Sequence, residues 1–232
     1  MVKKTRRPKL PLSVKAYQFL HEKIITMDLK PSQRLDEKQL VSQLGIGRTP
    51  IREALLRLTS EFLVETQPNK GFIVRPLLVQ NIKAMFEALH ILDIGAASLA
   101  IHQDLEKHLL LMKEAQKTFE KAIKDHDILS LVRSNHDFHM LFAQCSANEY
   151  LVRALRDVRN EVNRLAYLSY GGKGGLNRDL KEHYGSVCDE HEKIIKYLKN
   201  KDIDQLKKII GEHIQTFQQR VIHYLTTFRL GR

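Results

Sequence analysis

Apolar residues recur at helical spacing from early in the chain. Tyr17, Leu20, Ile24 and Met27 share one face of a segment opening at Ser13, which predicts an amphipathic helix capped by Ser13 and ended by Pro31. Asp36 to Leu44 predicts a second, shorter helix, with Asp36 as cap, Leu40 and Leu44 one turn apart on the inner face, and Gly45 as terminator. A third is expected from about Gly47 to Ser60, where Pro50 falls in the first turn and so removes no intrahelical hydrogen bond. Its inner stripe is Ile51, Ala54, Leu55 and Leu58, leaving Arg48, Thr49 and Arg52 largely on the outer face. The period then shortens. Phe62–Val64 and Gly71–Val74 read as strands around Gln67-Pro68-Asn69-Lys70, a hairpin by its turn composition.

Beyond Pro76 there is no proline, and the pattern is helical throughout. Helices are expected at roughly 79–102, 104–125, 127–146, 148–170, 180–200 and 202–228, consistent with a single antiparallel bundle. The glycine-rich stretch 171–175 is the widest break. It lacks P-loop spacing and follows no strand, so it reads as a connection rather than a nucleotide site. The expected fold class is mainly α. A winged helix-turn-helix would occupy 1–76, with a basic N-terminal arm, and an antiparallel all-helical bundle 77–232.

Charge sharpens the first domain. The chain carries 38 Lys and Arg against 27 Asp and Glu, net +11, of which residues 1–76 hold +8 and the remainder +3. An anionic partner is implied, whether DNA, RNA or an anionic membrane. Three short helices followed by a basic hairpin favour duplex DNA, because a helix fits the major groove, where Arg can bond guanine bidentately, while the hairpin tip reaches backbone or minor groove. Lys38, Arg48, Arg52 and Lys70 are placed there. With only Cys145 and Cys188 no disulfide framework is possible, and a basic start without an apolar signal segment leads us to expect a cytoplasmic protein. The most apolar helical run, Leu89 to Ile101, contains Asp93, so no membrane span is expected.

The chemistry of the second domain centres on histidine, of which the chain has 11. Asn135 and His139 are four apart on one helix face, and His191 and His213 each sit mid-helix among inward-spaced Ile194, Ile195 and Leu198, or Ile209, Ile210 and Phe217. Imidazoles from three helices converging in a bundle would form a first-row transition-metal site. By spacing alone, His136 and His183 are equally eligible.

The run from Arg34-Leu35 through Gln39-Leu40-Val41-Ser42-Gln43-Leu44-Gly45-Ile46-Gly47-Arg48-Thr49-Pro50-Ile51-Arg52-Glu53-Ala54-Leu55, with Leu58, Leu63-Val64 and the wing Asn69 to Val74, resembles the signature of GntR-family bacterial transcription regulators. The resemblance implies operator binding by Arg34, Lys38, Arg48, Thr49 and Arg52, with Lys70 and Gly71 at the wing tip. Gly47 stands where the family usually has serine or threonine, removing a phosphate-contacting hydroxyl. Phe62 stands where it usually has glycine, suggesting extra packing beneath the wing.

Asn135-His136-Asp137-Phe138-His139, Asn148, Leu151, Glu190 to Ile195, Asp202 and His213 are in turn similar to the FCD effector domain of FadR-type members. That likeness implies a divalent metal, Zn²⁺ or Ni²⁺, held by Asn135, His139, His191 and His213, with asparagine where the family has aspartate. It also implies a small-molecule effector, an organic acid by analogy. Leu89 takes the place of the family's effector-gripping arginine, so Phe86, Leu89, His90 and Asp93 define the expected wall, and Arg164 on the fourth helix of this domain, with the metal, is the candidate for the effector's charge.

The leading reading is therefore a homodimeric repressor or activator on a palindromic operator, not an enzyme, whose helical domain senses a metabolite. The competing readings are a metal-dependent hydrolase using His139, His191 and His213, and a non-specific architectural DNA binder. No His-Glu-x-x-His helix or Gly-x-Ser-x-Gly turn supports the first.

Overall fold

A computed structural model describes residues 10–68, 70–171 and 180–229. The basic arm with Lys3, Lys4, Arg6 and Arg7, the wing residue Asn69, and positions 172–175 of the glycine run lie outside these described residues. The chain divides into two compact units, Met1–Pro76 and Leu77–Arg232.

In the first unit, α1 (Leu12–Ile25) buries Ala16, Leu20, Ile24 and Ile25. It has no side-chain cap. Pro11 occupies the N-cap position, and Ser13, expected as cap, lies inside the first turn. The helix also ends sooner than Pro31 would dictate, because Met27 turns left-handed at φ 59. The cap of α2 (Glu37–Leu44) follows the sequence: Asp36 accepts from Lys38 N at 2.7 Å and Gln39 N at 3.1 Å, and Gly45 closes the helix at φ 61. Such a cap stabilises a helix by about 1 kcal/mol. α3 (Arg48–Ser60) starts at Gly47 without a side-chain cap and buries Ile51, Ala54, Leu55 and Leu58.

A small antiparallel sheet completes the unit, with β1 (Arg34–Leu35), β2 (Val64–Gln67) and β3 (Gly71–Val74) in the order β1-β3-β2. Thr66 pairs with Phe72 and Arg34 with Ile73. The first hairpin strand begins at Val64 rather than Phe62. Phe62 adopts φ 58, the left-handed region that favours glycine, and so breaks the chain between α3 and β2. Its ring does not pack beneath the wing as expected. It is 48% exposed, with the Arg75 guanidinium 5.0 Å from its centroid.

The second unit is all helix: α4 (Val79–Ala100), α5 (Glu106–Lys124), α6 (Ile128–Gln144), α7 (Glu149–Ser169), α8 (Leu180–Asn200) and α9 (Ile203–Arg229). Consecutive helices α5/α6, α6/α7 and α8/α9 pack as antiparallel neighbours, while α4 packs on α6, α7 and α9, and α5 on α8. Asp127 and Asn148 cap α6 and α7, accepting from Ser130 N at 3.0 Å and Leu151 N at 3.1 Å. The core carries Met112, Phe119, Leu131, Phe138, Leu155, Leu198 and Leu206, all inaccessible to solvent. Among the described residues no helix is long and apolar enough to cross a membrane.

Candidate metal centre and nucleic-acid surface

In the first unit the candidate contact residues Arg34, Lys38, Arg48, Thr49, Arg52, Lys70 and Gly71 are all solvent-exposed. The inner stripe of α3 is consumed by the core, so Arg48, Thr49 and Arg52 are left facing out. Arg48 is not loose. Its Nε donates to Glu37 Oε2 at 3.1 Å, and Glu37, only 19% exposed at its side chain, ties the start of α2 to the start of α3. Gly71 takes φ 74 at the wing, where an L side chain would be strained.

In the second unit α6, α8 and α9 bring His139, His191 and His213 together. All three are buried, and each offers a ligand atom within 4.8 Å of the others. The surrounding hydrogen bonds orient two of the rings. Gln116 of α5 directs its Nε2 to Glu120 Oε1 at 3.0 Å, so its Oε1, 2.7 Å from His191 Nδ1, must accept from that ring. His213 Nδ1 donates to Glu190 Oε2 at 2.7 Å, and Thr216 Oγ1 donates to Glu190 Oε1 at 2.8 Å. His191, whose Nδ1 is used as a donor, therefore turns an unprotonated Nε2 inward, and His213 turns its Nε2 toward His139. Carboxylate or amide support behind a ligating imidazole is the arrangement that orients metal-binding histidines.

The inner atoms are poorly satisfied by protein alone. His191 Nε2 and Asn135 Oδ1 are buried with no hydrogen-bond partner. His213 Nε2 lies 3.1 Å from His139 Nε2, a contact in which one of the two nitrogens carries the proton. Burial, then the Arg159 charge, then His213, push His139 well below the ordinary histidine range; burial and then His213 do the same for His191. Both stay neutral, the form that ligates. Burial alone would raise the Glu190 carboxyl, but the hydrogen bond and charge of His213, with Thr216, outweigh it and hold the group below its usual value. Phe138 stacks on His191 at 3.9 Å between centroids and 12° between planes, fixing its tilt. Three imidazole nitrogens, a buried amide oxygen and two supporting acceptors fit a divalent transition metal.

A cavity of about 20 Å³ adjoins the cluster, lined by Asn135, His139, His213, Arg159 and Tyr170 with an apolar remainder that includes Leu89. Of the expected effector wall, Leu89 lines this space. Asp93 is buried, but its Oδ2 is held by Arg159 Nη2 at 2.6 Å. His90 faces solvent and packs near Gly211 of α9. Arg164 is fully buried and is not among the lining residues; the arginine at the cavity is Arg159. Sequence reasoning passed over Arg159, Gln116 and the supporting role of Glu190. A signal existed for the first, since Leu155, Arg159, Val162, Ala166 and Tyr170 follow one another along the inward stripe of α7.

Residues 84–216 match the FCD domain family, and residues 12–74 match the bacterial regulatory proteins of the gntR family. The uncharacterized HTH-type transcriptional regulator YdhC of Bacillus subtilis (strain 168) is 26% identical over 216 residues, covering 93% of this chain and 93% of that protein. The HTH-type transcriptional repressor RspR of Escherichia coli (strain K12) is 19% identical over 214 residues, 92% of this chain and 90% of its own length. Among solved structures, E. coli McbR/YncC has the same fold, with a TM-score of 0.76 at 22% identity, covering 95% of this chain and 100% of that one.

Proposed function

We propose, because this chain belongs to the FCD-domain GntR-family transcription regulators, that its DNA-binding head reads an operator under the control of a metal-dependent metabolite sensor in its helical domain. Members of this family are regulators and not enzymes, so the hydrolase reading of the histidine cluster falls. In our reading Arg48, Thr49 and Arg52 enter the major groove, Arg34 and Lys38 hold phosphate, and Lys70 and Gly71 bring the wing to the neighbouring backbone. One winged helix reads only a few base pairs, so the working form is a homodimer on a palindromic operator in the cytoplasm. The sign of control is repression, as the printed name of RspR supports for that relative.

The sensor reading is that His139, His191 and His213, with the Asn135 oxygen, hold one Zn²⁺ or Ni²⁺, whose Lewis acidity gives an organic-acid effector an anchoring point. The observation that carries it is the convergence of three buried imidazoles whose ligand atoms lie within 4.8 Å of one another, with His191 Nε2 and Asn135 Oδ1 buried and unpartnered among them. Elemental analysis after dialysis against Zn²⁺, with operator binding measured with and without chelator, tests both halves. About one metal per chain, absent in His191→Ala, and a change in operator affinity on stripping are expected. Retention equal in wild type and His191→Ala would refute the metal centre.

A further inference from the structure

Arg48 is the first residue of α3 and Glu37 the first of α2, and Arg48 Nε donates to Glu37 Oε2 at 3.1 Å. A guanidinium carries N–H donors on three nitrogens, and the one engaged here is the nitrogen nearest the stem. Nη1 and Nη2 remain at the tip of a side chain that is 70% exposed, while the carboxylate behind it belongs to a side chain only 19% exposed. The backbone that carries the carboxylate is itself held. Asp36 caps α2 through Lys38 N and Gln39 N, and Leu40 is buried one turn on. Two considerations argue against a purely structural role for the pair. An ion pair this exposed adds little to stability, because water and salt screen it. A carboxylate beside a DNA-facing helix also repels phosphate, and so weakens binding to every duplex alike. What it supplies is direction. Arginine reads guanine only when two of its nitrogens meet O6 and N7 together, whereas a loose, fully charged one settles on any phosphate within reach. An acceptor on Nε restricts the guanidinium before DNA arrives, so less side-chain entropy is lost on docking.

We infer that Glu37 is a positioning residue for base reading: it holds the Arg48 tip for a guanine edge in the major groove and away from phosphate, lowering general affinity while raising discrimination. This deepens the DNA-binding reading above and rests on it, since it takes Arg48 to enter the groove. The base preference contributed by the first residue of α3 is then set in part by α2, a helix that itself reads no base.

The test uses the full-length chain with the variants Glu37→Ala, Glu37→Gln, Arg48→Ala and the double variant Glu37→Ala with Arg48→Ala. Each selects from a randomised duplex pool, and affinities are then titrated at one salt concentration on the duplex that the wild type selects, on its guanine-to-adenine replacements and on a scrambled duplex. Arg48→Ala should lose guanine preference at one position of the half-site. Glu37→Ala should lose preference at that same position by on the order of tenfold. It should also bind the scrambled duplex about two- to fivefold more tightly, because a negative charge is gone from the DNA-facing side. The double variant should discriminate no worse than Arg48→Ala alone, since Glu37 acts through Arg48. Glu37→Gln, whose amide oxygen still accepts from Nε, should recover guanine preference while keeping the tighter scrambled binding, a separation that a defect in folding does not produce. Guanine preference retained in Glu37→Ala would overturn the positioning role. So would additive losses in the double variant, or preference lost evenly at every position with a lowered urea midpoint in both Glu37 variants. If Arg48→Ala selects the same sequences as the wild type, the groove assignment of Arg48 falls and this inference with it.

Discussion

Asp93 on α4 and Arg159 on α7 form an ion pair with 4% side-chain exposure at each end and 2.6 Å between Oδ2 and Nη2. Asp93→Asn preserves volume but leaves the guanidinium charged inside the bundle. With charge centres about 4 Å apart and an effective dielectric near 20, the lost attraction is about 4 kcal/mol. That agrees with the roughly 3–5 kcal/mol cost of removing one partner of a buried pair. Arg159→Met should cost about the same, since it strands the carboxylate. Asp93→Leu with Arg159→Met removes both charges together and should return stability to within about 1 kcal/mol of wild type. Urea unfolding of the chelator-treated chain, followed by circular dichroism, yields the cycle as midpoint shifts multiplied by the slope. Single substitutions that each cost under about 1 kcal/mol, or a double variant as unstable as the two singles summed, would refute the view that the pair matters as a charge pair.

Arg52→Ala should cost about 1–3 kcal/mol at the cognate operator and relax base preference, whereas Lys70→Ala should weaken all sequences alike and reduce the salt slope by about one; competition titrations on operator and scrambled duplex separate the two. Ala147 ends α6 at φ 50 and is exposed, so Ala147→Gly should stabilise the second unit by about 1 kcal/mol, read as a raised urea midpoint. Burial lowers the His183 pKa to about 4, below the value of about 6.5 in an unfolded chain. The unfolded state therefore takes up the proton first, and the resulting destabilisation is absent above pH 6.5, grows as pH falls and is complete below pH 4. By pH 4.5 it amounts to about 2.5 kcal/mol, so His183→Phe, which keeps a ring beside Tyr170 and Tyr184, should lose that much less stability than wild type between pH 7.5 and 4.5.

The helices were legible because each carries a continuous apolar stripe, and α2 also carries its own punctuation in Asp36 and Gly45. Ends were less legible where the left-handed residue is not glycine. His126, Ala147 and Lys201 all take positive φ beyond a helix C-terminus, as Phe62 does beyond α3, and none announces it by residue type. Strand β1 is two residues long, too short for alternation to show, and exists because β3 offers Phe72 and Ile73 as partners. His139, His191 and His213 could be picked out by helical spacing together with a family resemblance. Gln116 and Asp93 could not, because their roles come from partners 75 and 66 positions away in the chain, and no periodicity encodes that pairing.

The winged head is closed by β3 at Val74, whereas the histidine cluster is complete only with His213 of α9. Synthesis therefore finishes the reading head well before the sensor. At roughly 5–20 residues per second the interval between Val74 and His213 is on the order of ten to thirty seconds. For that time a nascent chain carries a complete DNA-binding surface with no means of being told to release. If, as proposed, the working form is a dimer, a single head holding a few base pairs binds weakly, and occupancy of the operator by unfinished chains stays low. On the proposed reading, placing the last histidine of the cluster late in the chain makes tight binding and responsiveness arrive together, and a message broken between α8 and α9 yields a head that neither hears the signal nor holds the site.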